Sequence, residues 1–231
     1  AMGTAKMRWS QTGYGRTSST SVSQETPRNL FGFKDGTNNI KSEDGDAKLN
    51  EHLWVQKGDD SGADWMTGGT YFVVRKIHMF AEMWDNLRLI EQEQTFGRDK
   101  RYGAPLNVAA PSSGKDEFKP IDFKAKNKEG ELEVPADSHI AIVNPEQNKG
   151  RWMLRRGYNY TEGSDALGRL SAGLFFIAFV RDPRTNFYPI LDKMTQKDAL
   201  SEYLQHQARA LFAIPAGIGQ SDTMVGQALF S

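Results

Sequence analysis

A single carboxylate, Asp35, stands in a glycine-hinged turn within Pro27-Arg28-Asn29-Leu30-Phe31-Gly32-Phe33-Lys34-Asp35-Gly36-Thr37-Asn38-Asn39, directly after an apolar stretch that belongs in a core. Gly32 and Gly36 permit backbone angles and close approaches that a Cβ forbids, so a flat ligand edge can lie against the main chain there. Within that hairpin Asp35 is the side chain suited to proton transfer. Taken alone, the turn has a second reading: Asp-Gly and Asn-Asn are ordinary turn chemistry, and Asp35 can cap its own loop.

Histidine is scarce, at four residues, and cysteine is absent. The lack of thiols removes disulfides, thiolate metal sites, Fe–S clusters and a cysteine-ligated heme together. His139 lies in Asp137-Ser138-His139-Ile140, where it reads as a turn residue at the start of a strand, Ile140-Ala141-Ile142-Val143. His78 falls in another strand as an outward residue. His206 reads as complementing the C-terminus of a helix, and His52 sits in a loop beside Trp54. Arg155, in Trp152-Met153-Leu154-Arg155-Arg156-Gly157-Tyr158-Asn159-Tyr160, offers a fixed cationic fork of the kind that stabilises developing anionic oxygen. Its neighbour Arg156 reads as solvated.

The Gly-Phe-x-Asp-Gly-Thr-x-Asn run over 32–39 resembles the signature of the dye-decolorising peroxidases, heme enzymes whose aspartate here lies on the distal, peroxide-binding side of the iron. Further segments match in family order. Asp137-Ser138-His139-Ile140 with Asn144-Pro145 is similar to the proximal segment, Leu154-Arg155-Arg156-Gly157-Tyr158 to the distal arginine segment, and 173–183 to the strand backing the heme. The resemblance implies heme b held through His139 and catalysis by Asp35 and Arg155. It also implies cofactor contacts from Gly36, Thr37, Asn38, Asn144, Pro145, Glu146 and Phe176. Leu174 is a further wall residue, although core packing explains Phe176 and Leu174 equally well. Spacing to the last Leu-Phe-x-x-Pro piece points to Asp198 as the carboxylate orienting His139, with Glu202 as the alternative. Two positions depart from the family: Ala141 and Glu146 stand where arginine is usual, and an anionic Glu146 beside a heme propionate is repulsive.

The elements that must position these groups follow from patterning. Residues 1–30 are polar, with Thr17-Ser18-Ser19-Thr20-Ser21 at the centre, and read as an irregular lead-in. A strand is expected over 69–80 and a helix over 81–95, with Trp84, Leu87, Leu89 and Ile90 on its apolar face. A long insertion over about 100–150 carries His139. Strands follow at 151–157 and 173–180, joined by a loop at 161–165. A helix over 188–207 and a short strand at 210–214 close the chain. The β-α-β-β-α-β order is that of an α+β, ferredoxin-like split sandwich with an antiparallel sheet, occupying 31–231.

With 29 basic and 29 acidic residues, the chain has no global field to recruit nucleic acid or an anionic membrane, and no apolar run reaches spanning length. The resemblance implies the C-terminal half of a longer enzyme whose N-terminal half is absent, from the iron-uptake-linked deferrochelatase/peroxidase branch. Such a parent is exported by the twin-arginine route to the periplasm, envelope or exterior and works with ferrous iron uptake components. Its partners are hydrogen peroxide and a small-molecule electron donor, a dye or porphyrinogen, or heme itself. Alternatives are a deferrochelatase that releases iron with the tetrapyrrole intact, and a catalytically empty domain that self-associates as a homo-oligomer. Electron relay to large dyes falls to Trp65, Trp84, Tyr102 or Trp152.

Overall fold

The computed structural model describes residues 6–15, 26–60, 62–220 and 222–230. Residues 17–21 of the expected lead-in lie outside this set; residues 6–15 run as coil joined to the sheet by a bridge between Tyr14 and Asn159. In chain order come α1 (Gly45–His52), β1 (Thr70–Met79), α2 (Ala81–Asp85), α3 (Leu89–Phe96) and α4 (His139–Val143). They are followed by β2 (Leu154–Arg155), β3 (Tyr158–Ser164), β4 (Leu170–Val180), α5 (Pro183–Asn186), α6 (Tyr188–Lys197) and β5 (Leu204–Ile214).

The sheet is antiparallel in the order β2-β4-β1-β5, with β3 pairing β4 alongside β2. Alternation fixes its faces. Val73, Arg75, Ile77 and Met79 of β1 are buried on one face, beside Ala172, Leu174, Phe176, Ala178 and Val180 of β4. Against that face Phe187 packs on Val73, Ala178 and Val180, while Trp84 and Phe96 pack with Met79 and Leu200. The expected burial of Phe31 and Phe33 is observed. Phe31 stacks on Trp84 at 4.4 Å and Phe33 on Phe96 at 4.1 Å, pairs worth about 0.5–1.5 kcal/mol each beyond their area. This aromatic cluster anchors the Asp35 turn to the helical layer.

Several boundaries differ from expectation. The helix over 81–95 is broken at 86–88, where Arg88 restarts it by donating its backbone N–H to Glu91 at 2.9 Å. Trp84 is buried and Leu87 packs on the core, but Leu89 and Ile90 are exposed. The helix over 188–207 stops at Lys197, because Asp198 caps a 3-10 turn, Ala199–Tyr203, and the chain then enters β5. His206 therefore lies on an edge strand, and β5 begins at Leu204 rather than Ala210. The strand over 151–157 shrinks to Leu154–Arg155, and the loop at 161–165 is largely strand. His52 ends α1 and is buried rather than looped out.

The segment after His139 is helical, not extended. Its β-branched residues favour a strand by propensity, yet Ile140, Ala141 and Ile142 all bury as one helical turn packed on α6. Pro145 ends it, since the residue before a proline is driven out of the helical region and Asn144 is extended at ψ 136°.

Candidate active site

α4 and the α6 terminus build one wall. His139 Nδ1 lies 2.7 Å from Asp198 Oδ2, and the Asp198 side chain is fully buried. The other Asp198 oxygen accepts the Leu200 N–H at 2.9 Å, and the Ala199 N–H donates to Asp137 O at 3.0 Å. Asp198 is thus held from both sides and accepts the His139 Nδ1–H. That tautomer leaves the Nε2 lone pair free for a metal. Glu202, the alternative, is exposed and makes no such bond. Phe96 stands edge-on to the imidazole at 6.0 Å, so one ring touches both His139 and the Phe33 support of the Asp35 turn.

The opposing wall comes from the turn and β2. Gly32 and Gly36 take φ of +83° and +118°, the region that favours glycine. Arg155 Nη1 reaches Asp35 Oδ1 at 3.1 Å and Nη2 donates to Asn38 O at 3.2 Å. Asn39, buried, clamps the Arg155 backbone twice: its Oδ1 accepts the N–H at 2.8 Å and its Nδ2 donates to the carbonyl at 3.0 Å. Glu117, from the insertion, grips both flanks of Asp35, accepting from Lys34 Nζ and Thr37 Oγ1 at 2.6 Å each. Arg98, buried, donates to the carbonyls of Gly103 and Glu117, and burial pushes its pKa down to about 10.

Both walls face one pocket of about 1370 Å3, its open mouth included. Gly36, Thr37, Asn38, His139, Asn144, Pro145, Arg155, Leu174 and Phe176 all line it. Asp198 does not, acting behind His139, and Glu146 is exposed outside the lining. Asn144 caps the turn that follows α4 by accepting the Glu146 N–H at 2.9 Å. Arg75, Arg151, Trp152, Met153, Ile190 and Met194 also line the pocket. No sequence signal isolates them, because each matches a strand or helix interior; Asn39 and Glu117 carry no spacing signature either.

The residues fit a heme. Among the described residues no three His, Cys, Asp or Glu side chains converge to hold a metal, and a single imidazole such as His139 is the protein ligand that a tetrapyrrole-bound iron takes. Apolar walls, with Arg75 and Arg151 in the lining, suit a flat, dianionic tetrapyrrole.

A family model described as Dyp-type peroxidase, C-terminal, matches residues 26–219. The chain belongs to the Dyp-type peroxidase family. A dye-decolorizing peroxidase of Thermobifida fusca is 37% identical over 212 residues, covering 91% of this chain and 47% of that protein. A deferrochelatase of Yersinia pseudotuberculosis is 35% identical over 226 residues, covering 96% and 50%. The chain therefore spans about half the length of these curated relatives. Among solved structures, the oxyferrous complex of DtpA from Streptomyces lividans superposes with a TM-score of 0.83 at 37% identity, over 95% of this chain and 57% of that one. A DyP-type peroxidase from Cellulomonas bogoriensis gives 0.77 at 33%, over 90% and 54%. The ferredoxin-like reading of this Dyp-type domain stands.

Proposed function

We propose that this Dyp-type domain carries the heme b site of a peroxidase, with His139 as axial ligand and Asp35 and Arg155 as the distal pair. What supports this is one arrangement: the His139–Asp198 couple and the Asp35–Arg155 couple face each other across a single pocket. Heme, when bound, supplies the iron and the redox equivalents for peroxide reduction. Asp35 takes the proton from one peroxide oxygen and returns it to the oxygen that leaves as water. Arg155 stabilises the negative charge that develops as the O–O bond breaks. Asp198 holds His139 in the tautomer that presents Nε2, and Asn39 fixes the backbone from which Arg155 projects. Trp152 is the favoured electron relay, since it both lines the pocket and is partly exposed, whereas Trp84 is buried.

The chain loaded with hemin should oxidise a reporter dye with hydrogen peroxide, and Arg155→Leu should lower the rate about a hundredfold to a thousandfold. Equal rates in both would remove the distal assignment. A second reading, iron release with the tetrapyrrole intact, is favoured by the deferrochelatase relatives; metal-free porphyrin among the products would support it. A catalytically empty domain would turn over no dye even in the presence of hemin. The chain is also proposed to form homo-oligomers through the outer sheet face, where Phe72, Phe179 and half-exposed Phe212 form an aromatic strip. Light scattering of Phe212→Ser tests this, a mass unchanged from that of the parent chain counting against it. Export, iron-uptake partners and the bounds 31–231 remain part of the same proposal.

A further inference from the structure

Arg75 is the buried cation that this mechanism does not use. It sits at the centre of β1 with only 5% of its surface exposed, and it lines the same pocket as His139 and Asp35. Burying an ionised group without a counter-charge costs several kcal/mol, yet among the described residues no carboxylate meets its guanidinium. Its hydrogen-bond partner is His206 on β5, whose ring nitrogens lie 2.6 and 2.8 Å from Nη2. That ring supplies no negative charge. Burial and Arg75 hold His206 down to about 4.

The surroundings add positive charge. Arg209 is the register partner of Arg75 across β1 and β5, and burial first, then Arg209, lowers the Arg75 pKa to about 10. Phe176 and Phe187 hold the guanidinium in place, with centroids 5.8 and 5.9 Å away. Of the other cations lining the pocket, Lys34 is committed to Glu117, Arg98 to backbone carbonyls and Arg155 to Asp35, while Arg151 is only half-buried and so keeps contact with water. Arg75 has fork donors left over, in a pocket wall, beside a second arginine.

We infer that Arg75, flanked by His206 and Arg209, is an anion site on the sheet wall that receives one carboxylate arm of the bound tetrapyrrole. The inference rests on the heme reading above and adds to it a residue that would hold one acid arm of the macrocycle. A guanidinium fork matches a carboxylate in two parallel bonds. The incoming anion would also supply the missing counter-charge.

The test is equilibrium binding of hemin and of hemin dimethyl ester, whose acid arms are masked, followed by Soret absorbance and tryptophan quenching. Wild type should prefer hemin by about tenfold to a hundredfold, as expected for hydrogen bonds between charged groups. Arg75→Gln should lose most of that preference while binding the ester as wild type does. Arg209→Gln, on the exposed edge strand β5, should reduce it severalfold, which decides the matter if Arg75→Gln does not fold. Equal binding of hemin and ester by wild type would overturn the inference and leave the heme reading intact. So would an undiminished preference in the variants. Thermal protection by propionate alone, with no difference between hemin and ester, would overturn it in favour of a free acid. If neither hemin nor ester binds, the heme reading itself fails.

Discussion

Removing the Glu117 side chain should loosen the Asp35 turn at a large and calculable cost. Glu117 has a side-chain exposure of 3% and Lys34 of 7%, with their charged atoms 2.6 Å apart, and Thr37 holds the second carboxylate oxygen at 2.6 Å. Glu117→Ala leaves the Lys34 ammonium buried without its partner, a class of change that costs about 3–5 kcal/mol. For a domain of this size each kcal/mol shifts Tm by about 2–4 °C, so the loss should be roughly 6–20 °C. Calorimetry and urea unfolding of Glu117→Ala, Lys34→Met and the double variant would measure it. The double variant should be more stable than the sum of the single losses allows, since neither charge is then stranded. A loss under about 1 kcal/mol in Glu117→Ala, with simple additivity, would refute the reasoning that this clamp is buried and strong. Glu117→Gln, which preserves shape, should lose less.

Asp198→Asn replaces the acceptor of the His139 Nδ1–H by a group that can donate, and hemin affinity should fall about tenfold to a hundredfold; unchanged affinity in a titration would show that Asp198 is not orienting the imidazole. Burial, outweighing Glu51, lowers the His52 pKa below 6.5, and burial with Arg75 takes His206 to about 4. Above the unfolded value of 6.5 both states are neutral and neither histidine contributes; below it the unfolded chain binds protons first, so stability should fall as pH drops from 6.5 towards 4. The urea midpoint measured across that range should decline and be flatter in His206→Gln, and a midpoint that rises on acidification would contradict the sign.

Residues whose chemistry is local were legible in the sequence. Asp35 in its double-glycine turn, the apolar Phe31 and Phe33, and the strands around Val73 and Ala178 follow from turn chemistry and alternation. The resemblance, rather than periodicity, singled out His139, Arg155 and Asp198, and the fold brings each beside its partner. Illegible features are those decided by tertiary packing. The short helix carrying His139 is written in strand-forming residues and is held by burial against α6. β5 continues the pattern of the preceding helix, so its start at Leu204 depends on the Asp198 cap that also serves His139. Arg75, Asn39 and Glu117 act through partners 131, 116 and 83 residues away, distances over which a sequence carries no local signal.

The central claim is that His139 is the axial ligand in this pocket. An absorption titration of the chain and of His139→Ala with hemin tests it most directly. The account predicts a saturable, one-to-one change to a histidine-ligated Soret band in the chain and its loss or displacement in the variant. An identical Soret band and affinity in His139→Ala would contradict it.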